Sequence, residues 1–420
     1  MKEFYEPMLY MSTPEYPNTM GVIVQLKEPI DGDILQSVVQ ELSARYPYFY
    51  VKAVARDNDV SPEPNPLPMI VRNTWAPINF NSNESNYHLA AWKYEDTRMA
   101  FEISHSLTDG AGVFPYIKSA LYLYLIRKTG QALDSTGVRL PGDVIPKSES
   151  GNPFADLDID TAEKPLYTKQ PIEDFYRVKV EGNTKPQLHY IKLAESQLIQ
   201  YCRDFDGSPN ALISVMLARA AEKYDPDSEK TVSVSVAIDH KAMLGVRDNY
   251  RMFANVVELD FPKSRPLDDL MKSCTTARGQ IMLQAQPENS LWAMKQRKMM
   301  YAKLGQLPLE IKTSVIAKSA GNARWTFAVS YTNSKSMGSV DPYIEALYVV
   351  AEPGVFDIGC EIACINHSFY LTLIQSFSAD RFIDTFLKEL SSVGIEYEVM
   401  RKEPLRLCGI EPFKSQADTE

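Results

Sequence analysis

The chain has 420 residues, with 44 lysines and arginines against 54 aspartates and glutamates, for a formal net charge of -10. That length exceeds what a single core usually holds, so two domains or two tightly joined halves are expected. The acidic balance excludes a general nucleic-acid binder, because phosphate binding needs a basic surface. A hydrophobic share of 45% and an aromatic share of 10% are ordinary for a globular enzyme. The opening residues, Met1 to Pro7, contain no apolar stretch of the kind a signal peptide has, and no later run has the apolar length to cross a bilayer. Cytoplasmic residence is the expectation. The five cysteines, at 202, 274, 360, 364 and 408, form no paired Cys-x-x-Cys motif. They read as reduced thiols, and no metal site is expected.

Strand and helix signals alternate along the chain, which predicts an α/β fold. Met20 to Leu26 reads as a strand, 33–44 as a helix, 87–104 as strand-like and 111–127 as a helix. In that last helix Val113, Phe114, Ile117, Leu121, Tyr124 and Leu125 are expected to form one apolar stripe. From about Leu140 to Pro171 the periodicity collapses into Pro-, Asp- and Ser-containing sequence too long for a turn. The boundary between the halves is placed there, giving 1–165 and 166–420. The second half resumes with a strand at 187–193 and helices near 195–205 and 210–223. A strand at 231–238, a helix near 267–284, strands at 324–331, 343–350, 361–365 and 368–376, and an amphipathic helix around Phe382 to Leu390 complete it.

The most informative segment is His105-Ser106-Leu107-Thr108-Asp109-Gly110, at the exit of the alternating run Met99 to Ser104. It places an imidazole at a strand end, where a base could meet a substrate. The three intervening residues let the chain turn back, Asp109 is placed to brace the loop, and Gly110 is expected to take a backbone geometry closed to other residues.

This His-x-x-x-Asp-Gly pattern between a strand and a helix resembles the signature of the CoA-dependent acyltransferase superfamily, which includes chloramphenicol acetyltransferase, plant-type and alcohol acyltransferases, and the condensation domains of peptide synthetases. Other segments are similar in the same order. The predicted helix Asp33 to Leu42 runs into Arg45-Tyr46-Pro47, like the family's helix followed by Arg-x-Pro. Asp239-His240-Lys241, then Asn249-Tyr250 and Phe253-Ala254-Asn255, are similar to Asp-x-Arg and Tyr-Phe-Gly-Asn, with Lys241 standing for Arg and Ala254 for Gly. Phe327 to Asn333 resembles the strand whose end offers a donor to the reaction centre. Ser104 occupies a position that is often a second histidine. The plant-type Asp-Phe-Gly-Trp-Gly motif is absent, which favours the bacterial or fungal alcohol acetyltransferase branch.

The resemblance implies two chloramphenicol acetyltransferase-like α/β sandwich subdomains with an active-site tunnel between them. It implies His105 as general base, Asp109 as a structural brace in an ion pair with a basic side chain, and Gly110 in the turn. Lys241 is the first brace partner by motif position, with Arg45 and Arg247 behind it. Ser330, Thr332 and Asn333 are the candidate oxyanion donors. A histidine suits the chemistry, since an ordinary imidazole titrating near about 6.5 can take a hydroxyl proton at neutral pH and pass it on. No covalent acyl-enzyme is expected, in keeping with the lack of a Gly-x-Ser-x-Gly nucleophile turn.

His88, His189, His240 and His367 show no metal spacing, and His367 reads as part of a hairpin turn. The stretch Tyr46 to Tyr50 reads either as an acceptor pocket or as wall packing. Lys295, Arg297, Lys298 and Lys303 read as a solvated helix face or as an attractor for a phosphate-bearing co-substrate. Three functions follow. The first is transfer of an acetyl or other acyl group from acyl-CoA, a co-substrate rather than a bound cofactor, to a small alcohol or amine. The second is a condensation-type enzyme using phosphopantetheine thioesters on an acyl or peptidyl carrier protein. The third is a non-catalytic binding protein on the same fold. A chain long enough to supply both halves is expected to be a monomer.

Overall fold

In the structure, a computed structural model, the described residues are 9, 12–14, 16–56, 58–152, 154, 157–320, 324–332, 336–352, 354 and 356–413. The first half contributes β1 (Thr19–Leu26), α1 (Gly32–Leu42), β2 (Val51–Arg56), β3 (Asp59–Pro64), β4 (Val71–Asn73), β5 (Ala90–Glu95), β6 (Arg98–Ser104) and α2 (Gly110–Thr129). A largely irregular segment follows, with one helical turn at Lys147–Ser150. The second half contributes β7 (Gln187–Ala194), α3 (Glu195–Asp204), α4 (Pro209–Tyr224), β8 (Val232–Asp239), β9 (Ala254–Phe261), α5 (Leu270–Gln284), α6 (Pro287–Leu304) and α7 (Leu309–Ala320). It closes with β10 (Phe327–Tyr331), β11 (Ile344–Ala351), β12 (Ile358–Ile365), β13 (Ser368–Gln375), α8 (Arg381–Ser392) and β14 (Glu398–Pro404).

Two sheets organise these elements. The first has the order β11-β1-β6-β5-β4 and the second β14-β7-β13-β12-β10-β8-β9. β11 comes from the second half of the sequence yet completes the first sheet, pairing antiparallel with β1 (Val22 opposite Val349). The halves are therefore stitched together by a strand exchanged across them. β10 lies parallel between β8 and β12.

Period-2 alternation sorts the second sheet's side chains. Phe327, Val329, Cys360, Ile362 and Cys364 join α4 and α8 in one buried core. Ala363, Ile365, Tyr370 and Ile374 point the other way and join the core of the first sheet and its helices. Residues Ala328, Ser330 and Glu361 fall on that second, inward face, since they alternate with the helix-facing set. The site is built there, where the sheets face each other.

α2 departs from the one-stripe expectation. Tyr116, Ala120, Tyr122 and Leu123 are buried along with Val113, Ile117, Leu121, Tyr124 and Leu125. A helix apolar on nearly all sides is one enclosed by the core rather than lying on it. Its ends follow the usual chemistry: Asp109 accepts the Gly112 N–H at the start, and Gly130 closes it with φ +68°. The strand-like 87–104 run is a hairpin, β5 and β6, turning at Asp96 with φ +52°. At the β12–β13 turn Asn366 and His367 both have positive φ, as a tight hairpin requires. All five cysteines are free and buried.

Candidate active site

His105 sits just past β6, its backbone N–H bonded to the Asn18 carbonyl at 2.8 Å. Its ring lines a cavity of 520 Å³. Nδ1 lies 2.9 Å from the Thr108 carbonyl. A carbonyl can only accept, so Nδ1 must carry the proton in the neutral ring and Nε2 must hold a lone pair. Among the described residues none bonds Nε2. The three-residue spacing thus does more than let the chain turn: it brings the Thr108 carbonyl back to set the tautomer.

Asp109 is buried and bonded through both oxygens. Its Oδ1 accepts from Lys241 Nζ at 2.5 Å and from the Gly112 N–H at 2.8 Å, and its Oδ2 accepts from the Phe253 N–H at 2.8 Å. Thr108 Oγ1 donates to the Tyr250 carbonyl at 2.7 Å. The loop is therefore held from below by the segment between β8 and β9, whose sequence matched the second part of the family pattern. Arg45 does not reach Asp109. Its guanidinium makes a paired contact with Glu149, at 2.5 and 2.8 Å, which fastens the irregular segment to the end of α1. Arg247 is exposed.

Gly110 is in the first turn of α2 and does not have positive φ, which corrects the expectation of a special backbone geometry. The reason for glycine is space. A Cβ there would come within 2.6 Å of Thr332 Cγ2. Gly112, which the sequence did not single out, is tighter still, since a Cβ would meet the Tyr250 carbonyl oxygen at 2.1 Å and Thr108 Oγ1 at 2.3 Å.

The cavity wall is shared between the sheets. Met20, Val349 and Ala351 come from the first, and Ala237, Asp239, Ala254, Ser330, Tyr331 and Glu361 from the second, with Thr332 just past β10. Ser330 and Thr332 thus share a cavity with His105; Asn333 lies outside the described residues. Lys118 and Arg139 also line the cavity, whereas none of the residues Tyr46 to Tyr50 does. Those aromatics are packing: Tyr48 stacks on Tyr250 with ring centroids 3.9 Å apart, and Tyr46 and Phe49 are completely buried. The basic run on α6 is tied to the linker, Lys298 to the Asp160 carboxylate and Lys295 to the Asp160 and Ala162 carbonyls.

Sequence reasoning missed Glu361. It stands beside Ser330 across the parallel β10–β12 pair. Burial pushes its carboxyl up to about 7, with Ser330 as hydrogen-bond partner opposing that shift. His189 and His240, by contrast, are buried away from the cavity, and burial lowers both to about 4. No group of residues that could hold a metal is found among the described residues. No described helix is long and apolar enough to cross a membrane.

Solved structures place the fold. Polyketide synthase associated protein 5 from Mycobacterium tuberculosis matches with a TM-score of 0.63 at 13% identity, over 93% of this chain and 97% of that one. Trichothecene 15-O-acetyltransferase from Fusarium sporotrichioides matches at 0.57 with 8% identity, over 92% and 94%. TRI101 of the same fungus, solved with coenzyme A and T-2, matches at 0.59 with 11% identity, over 93% and 98%. Condensation and epimerization domains match as well. The chain shares the α/β fold of these acetyltransferases and condensation domains over more than nine-tenths of its length. No protein-family model and no curated protein matches its sequence.

Proposed function

We propose that this protein is an acyltransferase that moves an acetyl or other acyl group from a CoA thioester to the hydroxyl or amine of a small acceptor. The observation that carries this reading is His105 in the cavity wall, its tautomer set by the Thr108 carbonyl and its Nε2 without a partner among the described residues. Nε2 takes the acceptor's proton as the acceptor oxygen or nitrogen bonds to the thioester carbonyl carbon. The negative charge moves to the carbonyl oxygen, where the Thr332 hydroxyl, held only by a long 3.5 Å contact to the Ile362 carbonyl, is the donor at hand, since the Ser330 proton is engaged by Glu361. Collapse of the tetrahedral intermediate breaks the carbon–sulfur bond, and the imidazolium returns its proton to the departing thiolate, which leaves as free thiol. The enzyme ends as it began, with no acyl group on a side chain.

Asp109 does not touch the reacting atoms in this scheme. It holds the loop, because its buried carboxylate is fixed by Lys241, Gly112 and Phe253. Lys118 lies eight residues past Gly110 on α2, about 12 Å along the helix axis, and with Arg139 it gives the cavity basic groups where the phosphates of coenzyme A would be held. The trichothecene acetyltransferase and the coenzyme A complex of TRI101 support a CoA donor by likeness of fold.

The test is release of free thiol from acetyl-CoA and longer acyl-CoAs against a panel of alcohols and amines. Acceptor-dependent release is the expected result. Release only from thioesters on a carrier protein would move the donor to the condensation-type reading. A folded protein that consumes neither kind of thioester would overturn the proposal and leave a binding protein.

A further inference from the structure

The buried carboxylates among the described residues are each matched by a cation, and the half-buried Glu361 is not. Asp109 has Lys241, Glu102 has Lys93, Glu149 has Arg45, and Glu389 has Arg219 and Lys223. Glu361 has none among the described residues; Ser330 is its one side-chain hydrogen-bond partner. Glu352 also lacks a cation, but it does not line the cavity and accepts the Asn18 N–H. Asp239 does line the cavity, but it accepts the Lys241 N–H and has the charges of Lys241 and Arg247 nearby. Among the described residues Glu361 is therefore the half-buried carboxyl without a cation in the cavity wall that also holds His105. Its cross-strand neighbours are Ser330 and Thr372, and the cavity it lines also has apolar wall from Met20, Val349, Ala351 and Ala237.

A carboxylate partly withdrawn from water without a cation is held at a cost, and a ligand that supplies the cation recovers part of it on binding. The two lysine and arginine side chains in the lining are otherwise held, Lys118 by the Thr136 carbonyl and Arg139 by Glu149. Building on the acyltransfer reading, we propose that Glu361, seated beside Ser330 on the inner face of the second sheet, recognises an ammonium group on the acceptor, so that the acceptor is an amino alcohol or diamine with one end reacting at His105 and the other held at Glu361. The carboxyl's elevated titration near 7 fits a site that is fully charged only when a cation arrives.

The experiment compares aminohexanol with hexanediol, equal in length and differing in one terminal charge, by calorimetric binding to the full chain at about pH 8, where both the carboxylate and the ammonium are charged. The wild-type protein is expected to bind aminohexanol about tenfold more tightly, the value of one charge-assisted hydrogen bond. Glu361→Gln keeps the shape and the Ser330 contact, and is expected to bring the two affinities within about twofold. Equal affinities in the wild type, no binding of either compound, or a preference that survives Glu361→Gln would each overturn the proposal. The wild-type comparison needs no variant to fold. Thiol release with the same two compounds keeps the claims apart: preferential binding without turnover sinks acyl transfer alone, and equal turnover of both with equal binding sinks the ammonium site alone.

Discussion

Two lysine–carboxylate pairs, both buried and both reinforced by a backbone N–H, sit in different parts of this molecule. Lys93 Nζ meets Glu102 Oε1 at 2.6 Å, and the other Glu102 oxygen accepts the Cys408 N–H, also at 2.6 Å. Lys241 Nζ meets Asp109 Oδ1 at 2.5 Å, with the Phe253 N–H on the other oxygen. The first pair joins adjacent strands β5 and β6 to the chain's C-terminal segment and contributes nothing to the cavity. The second ties the loop that carries His105 to the segment between β8 and β9. A buried ion pair therefore does not mark a site by its chemistry. What marks it is the loop it immobilises.

Removing one partner of either pair leaves a buried charge and costs about 3–5 kcal/mol. Asp109→Ala is expected to lose that stability in urea unfolding and also to lose thiol-release activity by on the order of a hundredfold or more per folded molecule, because the loop bearing His105 loses its anchor. Glu102→Ala is expected to lose similar stability, while its folded fraction keeps activity within about twofold. If Glu102→Ala abolishes turnover in molecules shown to be folded, the contrast between the pairs is wrong.

The two glycines of the motif loop sharpen the same contrast at smaller scale. Gly112→Ala would drive a methyl group into a backbone carbonyl, which cannot swing aside, and is expected to cost about 3 kcal/mol in denaturant unfolding. Gly110→Ala meets the Thr332 side chain instead, at Cγ2 (2.6 Å) and at Cβ (2.9 Å), and since rotation moves only Cγ2 the residue itself must shift. A cost of about 2 kcal/mol is expected there, with a disproportionate fall in turnover because Thr332 is displaced in the cavity.

The smallest effect is on pH dependence. His240 is completely enclosed, neither ring nitrogen has a described hydrogen-bond partner, and burial lowers it to about 4. The unfolded chain would bind its proton near about 6.5. Between these values the unfolded state holds more protons, so stability is full above the upper one and declines as the pH falls toward the lower. Glu352 and Glu361, raised to about 7, act with the opposite sign as carboxyls that stay protonated longer in the folded state. The difference between wild type and His240→Phe in urea midpoint, measured from pH 7 to 5, isolates the histidine: the wild type is expected to lose relatively more on acidification.

The legible parts of this fold are those encoded locally. Strand β6, the motif loop, helix α2 and the Lys241 brace all follow from spacing within a few residues or from a motif position. Glu361 was not legible, because in Ile358 to Ile365 it is one polar residue in an apolar run, and its meaning comes from register against Ser330 and from the face shared with the opposing sheet. The hairpin β2–β3 escaped for a different reason: Pro62 and Pro64 argue against a strand, and this two-stranded ribbon tolerates them. Helices α5 to α7 differ again. Only α5 was placed as an element, and of α6 only the basic stretch Lys295 to Lys303 was read, as a solvated helix face, because α6 spreads Met294, Met299, Met300 and Tyr301 around its circumference and no apolar stripe announces it. The exchange of β11 into the first sheet is a matter of topology that no local pattern carries.

The central claim is that His105 moves the proton during acyl transfer, and the most direct test is thiol release by His105→Ala beside the wild type, on whichever acyl-CoA and acceptor the panel selects. The account predicts a protein with unchanged melting behaviour and unchanged acyl-CoA binding, whose turnover is reduced by on the order of a hundredfold to ten-thousandfold. Turnover within about twofold of the wild type would contradict it.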